Sequence, residues 1–249
     1  MRRESRLAAL LWLPVNAVQG LFTLLWTAVG IPIALAVALV ARRPAPALWI
    51  ARRIWAPGLV WGAGARLRVS GTERLDLSRP ALFVANHQSW IDIPALFMAL
   101  PVPLRFLAKR ELAGVPLLGA YIRAMGMVFI DRDNARRARA SVDCAVGVLA
   151  RGGHLVSFPE GTRSRDGRPG PFRSGGFGAA LESGVDVVPV ALVGPAAVLP
   201  RDGFRVRPGR IEVRFGTPIA TAGLSRHARA ALARRAESAV RALLAGESE

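Results

Sequence analysis

The stretch His87-Gln88-Ser89-Trp90-Ile91-Asp92 sets a histidine and an aspartate five positions apart. It follows directly on an apolar, strand-like run, Ala81-Leu82-Phe83-Val84-Ala85-Asn86. That order puts an imidazole at the mouth of a sheet with a carboxylate close enough to orient it. A histidine held in this way is a general base for taking a proton from a hydroxyl. Ser89 and Asp92 also have the spacing of a helix-capping box. The two readings are compatible. A cap at Ser89 leaves His87 just outside the helix and Asp92 in its first turn, where the two side chains meet across the bend. His-x4-Asp alone occurs by chance, so the chemistry has to be judged with its neighbours.

Three further blocks follow: Gly126-Met127-Val128-Phe129-Ile130-Asp131-Arg132, then Phe158-Pro159-Glu160-Gly161-Thr162-Arg163-Ser164, then Val187-Val188-Pro189-Val190. With the Asn86-His87 block, and in this order, they resemble the glycerolipid acyltransferase family, whose best-known members are the 1-acyl-glycerol-3-phosphate (lysophosphatidic acid) acyltransferases. The likeness runs from about residue 66 to residue 219. It implies a reaction in which a lysophospholipid hydroxyl attacks the thioester of acyl-CoA or acyl carrier protein, with no other cofactor. In that reaction His87 takes the hydroxyl proton, and Asp92 fixes the imidazole tautomer and stabilises the imidazolium. The resemblance also implies that Arg132 and Arg163 bind the acceptor's phosphate, which a guanidinium fork suits. Gly161 and Thr162 belong to the same substrate-binding block, where glycine lets backbone amides approach an anion. Glu160 is expected to hold Arg163 or the glycerol hydroxyls. Lys109 matches the family's basic residue between the first two blocks. The chain departs from the family where a lysine often follows the Phe of Pro-Phe-Lys-x-Gly. Here Arg173 follows Phe172 and leads into Ser174-Gly175-Gly176, which leaves the acceptor head group open.

A covalent acyl-enzyme is not called for, because a thioester is already activated. There is no Gly-x-Ser-x-Gly elbow, and the single cysteine, Cys144, sits in a helix-like stretch with no histidine near it in sequence. One cysteine also excludes an internal disulfide. His154 and His227 match no block and read as solvated. Three scattered histidines without His-Glu-x-x-His spacing argue against a metal site.

The elements that must position these residues are readable too. Short apolar runs at 66–69, 82–85, 105–108, 128–130, 155–158, 187–192 and 211–215 alternate with helical stretches at 89–99, 116–125, 136–150, 176–182 and 225–244. This alternation predicts an α/β domain. The resemblance makes it a mixed sheet covered by helices, of the glycerol-3-phosphate acyltransferase type. Residues 161–175 form a long polar loop, of the kind that is usually functional. The arginines of 225–244 either rest on anionic lipid or form the outer face of a domain-closing helix.

Composition points to a membrane. Hydrophobic residues make up 52% of the 249, and the formal net charge is +17, so anionic partners are favoured. A nucleic-acid partner would rest on charge alone, since zinc-finger spacing and stacking-aromatic motifs are lacking, and none is expected. Of the 34 basic residues only Lys109 is lysine. The arginines therefore carry little individual information, and the lysine carries more. No charge occurs from Leu7 to Ala41, a run of 35 residues. As one helix it would be about 52 Å long, against a hydrocarbon core of about 30 Å. Pro14, Gly20, Gly30 and Pro32 offer breaks, and Arg2, Arg3, Arg6, Arg42, Arg43, Arg52 and Arg53 flank both ends. Basic flanks stay cytoplasmic. The expectation is thus a bent hairpin dipping into one leaflet, with a single span or a signal peptide ending near Ala36-Val37-Ala38 as alternatives. Residues 44–62, with Trp49, Trp55 and Trp61, read as an interfacial helix or as a core helix.

These readings divide the chain into a membrane-associated helical segment, 1–62, and an α/β acyltransferase domain, 63–249. They place it on the inner (cytoplasmic) membrane, with an anionic lipid surface as partner and the active site facing the cytoplasm. The expected reaction is acylation of the sn-2 hydroxyl of 1-acyl-glycerol-3-phosphate. The alternatives are acylation of another lysolipid, such as a lyso-ornithine lipid, or an inactive lipid-binding protein.

Overall fold

The computed structural model describes residues 11–131, 135–164 and 167–246. The first long helix among the described residues is α1 (Leu13–Ala41). Pro14 sits in its first turn, where a missing N–H costs nothing. The breaks expected at Gly20, Gly30 and Pro32 do not occur. The helix runs through all three, and the bend comes later, at Arg42 (φ 53°), ahead of Pro44. Packing accounts for the glycines. A Cβ on Gly20 would stand 3.5 Å from the Phe204 ring, and one on Gly30 would stand 3.3 Å from Trp55. These glycines admit neighbouring rings rather than turning the chain. After the bend come α2 (Ala45–Ile50), a π-helical turn (Ala51–Trp55) and α3 (Ala56–Gly62). Gly58 of α3 lies so close to α1 that a Cβ would fall 2.6 Å from Trp26.

One side of α1 docks on the rest of the protein along its length. Asn16 Oδ1 accepts from Val206 N at 2.9 Å, and Trp26 Nε1 donates to the Trp55 carbonyl at 3.1 Å. Ala34 and Ala38 are buried. The other side leaves Leu13, Val18, Leu21, Leu24, Leu39 and Val40 exposed. Leu13–Ala41 is long and apolar enough to be a candidate membrane anchor. Trp55 turns inward, its Nε1 3.3 Å from Thr27 Oγ1, while Trp49 and Trp61 stay exposed.

The sheet has seven strands: β1 (Ala65–Ser70), β2 (Ala81–Ala85), β3 (Leu104–Lys109), β4 (Val128–Ile130), β5 (His154–Ser157), β6 (Asp186–Val193) and β7 (Gly209–Phe215). Their spatial order is β1-β7-β6-β2-β5-β3-β4. All neighbours pair in parallel except β6 with β7, so the sheet is mixed. Pro189 lies inside β6. Its carbonyl accepts from Gly216 N where the β6–β7 ladder runs out at Val190, so the proline's missing donor falls on the side where pairing stops.

Helices cover both faces. α4 (Asp92–Ala99) packs with the N-terminal helices over one face, and α5 (Leu118–Ala124) lies beside α1 there. α6 (Ala135–Ala150), α7 (Gly178–Ser183) and α9 (Arg229–Ala245) cover the other, and a short α8 (Pro195–Val198) precedes β7. α9 buries Leu232, Ala233, Ala236 and Val240 against the sheet, which makes it a domain-closing helix. His154 is not solvated as its sequence context suggested. It opens β5, is buried near Phe83, and burial lowers its pKa. His227 is exposed.

Candidate active site

β2 lies between β6 and β5, and every one of its residues is buried. The chain leaves β2 toward α4 on one face and leaves β5 toward α7 on the other. Connections diverging from neighbouring parallel strands open a crevice at the carboxyl ends, the usual ligand site of such sheets. The first and third sequence blocks fall there, since one follows β2 and the other follows β5.

The backbone ladder between β2 and β6 ends at Ala85 and Val190. Asn86 then continues it with its side chain. Its amide donates to the Leu192 carbonyl at 3.0 Å and accepts from Leu192 N at 2.7 Å. This frees the main chain to turn and present His87.

His87 Nδ1 lies 2.7 Å from Asp92 Oδ2. The same oxygen accepts from Gln88 N at 2.7 Å and Ser89 N at 2.8 Å. Half of the expected capping box therefore forms, the carboxylate reaching back to the Ser89 amide. Ser89 Oγ instead donates to the Leu199 carbonyl at 2.6 Å, and the helix proper starts at Asp92. Two backbone donors hold the fully buried Asp92, so the imidazole meets a fixed acceptor. With Nδ1–H pointing at the carboxylate, Nε2 is the basic nitrogen. The Phe158 ring stacks on the imidazole, centroids 4.1 Å apart and planes 16° apart, which fixes its tilt.

Glu160 has a role that its position in the block did not reveal. Its Oε1 accepts from His87 N at 2.8 Å and its Oε2 from Gly170 N at 2.8 Å. The carboxylate ties the His87 turn to the polar loop instead of gripping Arg163. Burial pushes its pKa up, partly offset by these two amides. Gly161 follows with φ 79°, a left-handed conformation that glycine adopts without strain.

Arg163 stands over the Trp90 ring at 4.7 Å and donates to the Arg201 carbonyl at 2.8 Å, while Arg201 donates back to the Arg163 carbonyl. Burial and the neighbouring Arg201 charge lower the Arg163 pKa. Arg201, Trp90 and Phe158 were not singled out from the sequence. Trp90 lies inside the first block and Phe158 opens the third, which was the available signal; Arg201 offered none. Arg132 lies outside the described residues.

His87, Lys109, Gly161, Thr162 and Arg163 line one cavity of about 520 Å³, a size typical of small-molecule sites. The rest of its wall is mainly apolar, including Trp26 and Gly30 of α1, Ile93 and Phe97 of α4, and Tyr121 of α5. Burial pushes the Tyr121 hydroxyl up to about 12, so it stays a neutral phenol. A basic imidazole thus opens onto an apolar chamber with cations at its rim. Such a site can take a proton from the hydroxyl of an amphiphile that carries an anionic head.

Residues 66–193 match the Acyltransferase family model. The chain is 35% identical over 159 residues to the chloroplastic 1-acyl-sn-glycerol-3-phosphate acyltransferase of Arabidopsis thaliana, covering 62% of this chain and 44% of that one. It is 36% identical over 164 residues to the 1-acyl-sn-glycerol-3-phosphate acyltransferase of Limnanthes douglasii, covering 66% and 58%. The aligned part thus spans about half the length of these curated relatives. Among solved structures, the 1-acyl-sn-glycerophosphate acyltransferase PlsC of Thermotoga maritima superimposes with a TM-score of 0.77 at 26% identity, covering 93% of this chain and 95% of that one. A family match over more than half the chain, the shared architecture and the four blocks in order together make this protein a member of the Acyltransferase family.

Proposed function

We propose that the protein transfers a fatty acyl group from a thioester donor, acyl-CoA or acyl carrier protein, to the sn-2 hydroxyl of 1-acyl-glycerol-3-phosphate, giving phosphatidic acid. The observation that carries this reading is the Asp92–His87 pair opening onto the apolar cavity, with Arg163 and Lys109 on the same wall. The lysolipid's acyl chain would occupy the apolar part and its phosphate would meet the cations. His87 Nε2 takes the hydroxyl proton as that oxygen attacks the thioester carbonyl. The tetrahedral intermediate collapses, the C–S bond breaks, and the thiolate receives the proton from the imidazolium. Glu160 keeps the His87 turn in place. Incubating the purified protein with labelled acyl-CoA and a panel of lysolipids tests this directly. Labelled phosphatidic acid is the expected product. A different acylated lipid would transfer the reading to that acceptor, and the absence of any product would leave a lipid-binding protein.

Arg163→Ala should raise KM for the lysolipid roughly 10- to 100-fold, the range for losing a hydrogen bond to a charged group. KM for the acyl donor should change little. Steady-state kinetics with each substrate varied in turn checks this, and an effect confined to the donor would remove Arg163 from the acceptor site.

The chain is anchored at the inner membrane with its site facing the cytoplasm, and α1 tethers it without crossing. Supporting this, α1 is docked on the α/β domain both near its start, through Asn16, and near its end, through Ala38. A span would carry the domain into the bilayer with it. Arg42, Arg43 and Arg53 are exposed beside the bend, where they would meet anionic headgroups. Single cysteines replacing Leu13 and Arg43, in a Cys144→Ser background, should both react with a membrane-impermeant reagent from the same side of sealed vesicles. Reaction from opposite sides would establish a span.

A further inference from the structure

A second cavity, of about 640 Å³, opens on the other face of the sheet and shares Leu107 and Phe158 with the first. A smaller hollow of about 250 Å³ continues from it, with Arg139, Glu182 and Arg229 lining both. Together they form a furrow bordered by Arg139, Arg173, Arg226 and Arg229. We propose that this furrow binds the phosphorylated nucleotide end of the acyl donor, the 3′-phospho-ADP group of coenzyme A, so that donor and acceptor reach His87 from opposite faces of the sheet. This assignment rests on the acyltransferase reading above.

Charge is the first argument. Arg139 grips Glu182 with both nitrogens, at 2.6 and 2.8 Å, so this pair is mutually satisfied and held in place. Arg226 and Arg229 also face Glu182, and its pKa is lowered, first by the Arg139 hydrogen bonds. Arg173, Arg226 and Arg229 form no ion pair among the described residues. Arg139 is also paired with Asp143 at 2.7 Å, so two carboxylates serve these three guanidinium groups, and Arg173 adds a fourth. The other carboxylate in the wall, Asp131, is engaged by Arg137 at 2.6 Å and Arg110 at 3.4 Å. Uncompensated guanidinium forks suit phosphate oxygens.

Shape is the second. The furrow is concave, which fits a nucleotide better than the convex surface of a carrier protein. Its floor includes Ile130, Val142 and Ala145, an apolar surface for the face of a base. Gly175 presents bare backbone beside Arg173, and a Cβ on Gly176 would stand 3.2 Å from Ser157 Oγ. Main-chain atoms can therefore come close to a ligand there.

Position is the third. The furrow reaches Phe158 and Pro159 at the crevice between β2 and β5, and Phe158 stacks on His87. From a nucleotide held in the furrow, the pantetheine arm would run past Phe158 and bring the thioester to the imidazole. The acceptor's phosphate has its own cations, Arg163 and Lys109, in the other cavity.

The test compares donors with and without phosphates. Arg173→Gln, Arg226→Gln and Arg229→Gln are combined in the full-length chain, and Arg173→Gln is also made alone, because that exposed loop position leaves the α9 packing intact. Titration calorimetry with free coenzyme A should show a dissociation constant raised roughly tenfold or more in the triple variant. KM for acyl-CoA should rise in parallel, while acyl-pantetheine, which lacks every phosphate, should be used as well as by the parent. The single variant should show the same pattern at a smaller size. Unchanged coenzyme A affinity, or an equal loss with both donors, would overturn the assignment. So would loss of acyl carrier protein binding with coenzyme A binding intact. If the parent acylates no lysolipid at all, the functional reading fails, and the coenzyme A titration still decides the furrow.

Discussion

His87→Ala is expected to lower kcat by about 10²–10⁴, the usual contribution of a positioned general base, while KM for both substrates changes little. The imidazole's own contacts are the bond from Nδ1 to Asp92 and the stack with Phe158. The loop is held by main-chain groups: Glu160 accepts from His87 N, and Ser164 N donates to the His87 carbonyl at 2.7 Å. Both bonds survive the substitution. Asp92 keeps its two amide donors from Gln88 and Ser89, so no buried charge is orphaned. Turnover and thermal unfolding measured on the same preparation separate chemistry from folding. Near-normal turnover would remove His87 from the mechanism, and a large loss of stability with proportionate loss of turnover would make it a structural residue.

The strands were legible because each is a short apolar run bounded by turn residues. The fully buried β2 and the alternating β7, with Ile211, Val213 and Phe215 inward, are examples. Helix starts were less so. Ser89 reads as a cap, but its hydroxyl is drawn to Leu199, 110 positions away, and α4 begins at Asp92. The same limit hid the bend after α1. Gly20, Gly30 and Pro32 look like breakers from local propensity, yet rings from distant segments settle against the two glycines. At the site, His87 and Asp92 were legible because both lie in one turn. The role of Glu160 was not, because its partners are amides 73 and 10 residues away. The arginine furrow was least legible of all. Its four residues come from α6, the loop after β5, the short turn before α9 and the first residue of α9, in a chain where arginine is so common that no single one stands out.

Asp92→Asn should lower kcat by about 10²–10⁴ as well, although it is nearly isosteric. Asp92 Oδ2 receives three donors: the Gln88 amide, the Ser89 amide and His87 Nδ1–H. Oδ1 is buried without a hydrogen-bond partner among the described residues. A carboxamide can enter this site in two ways. With its oxygen at the Oδ2 position, all three bonds persist, but the charge that stabilises the imidazolium is gone and an NH₂ group is buried where no acceptor waits. With its nitrogen there instead, two backbone donors face a donor, and Nδ1 must become an acceptor, which moves the ring proton to Nε2 and abolishes the base. Either arrangement leaves a buried polar group unpaired, at about 1–3 kcal/mol of stability. Nitrogen-15 spectra of the histidine ring distinguish the two, because only the second shifts the proton from Nδ1 to Nε2. A purely structural Asp92 would reduce stability without changing the tautomer or the turnover per folded molecule. Turnover equal to the parent's, with the ring proton still on Nδ1, would show that the aspartate orients the loop and takes no part in the proton transfer.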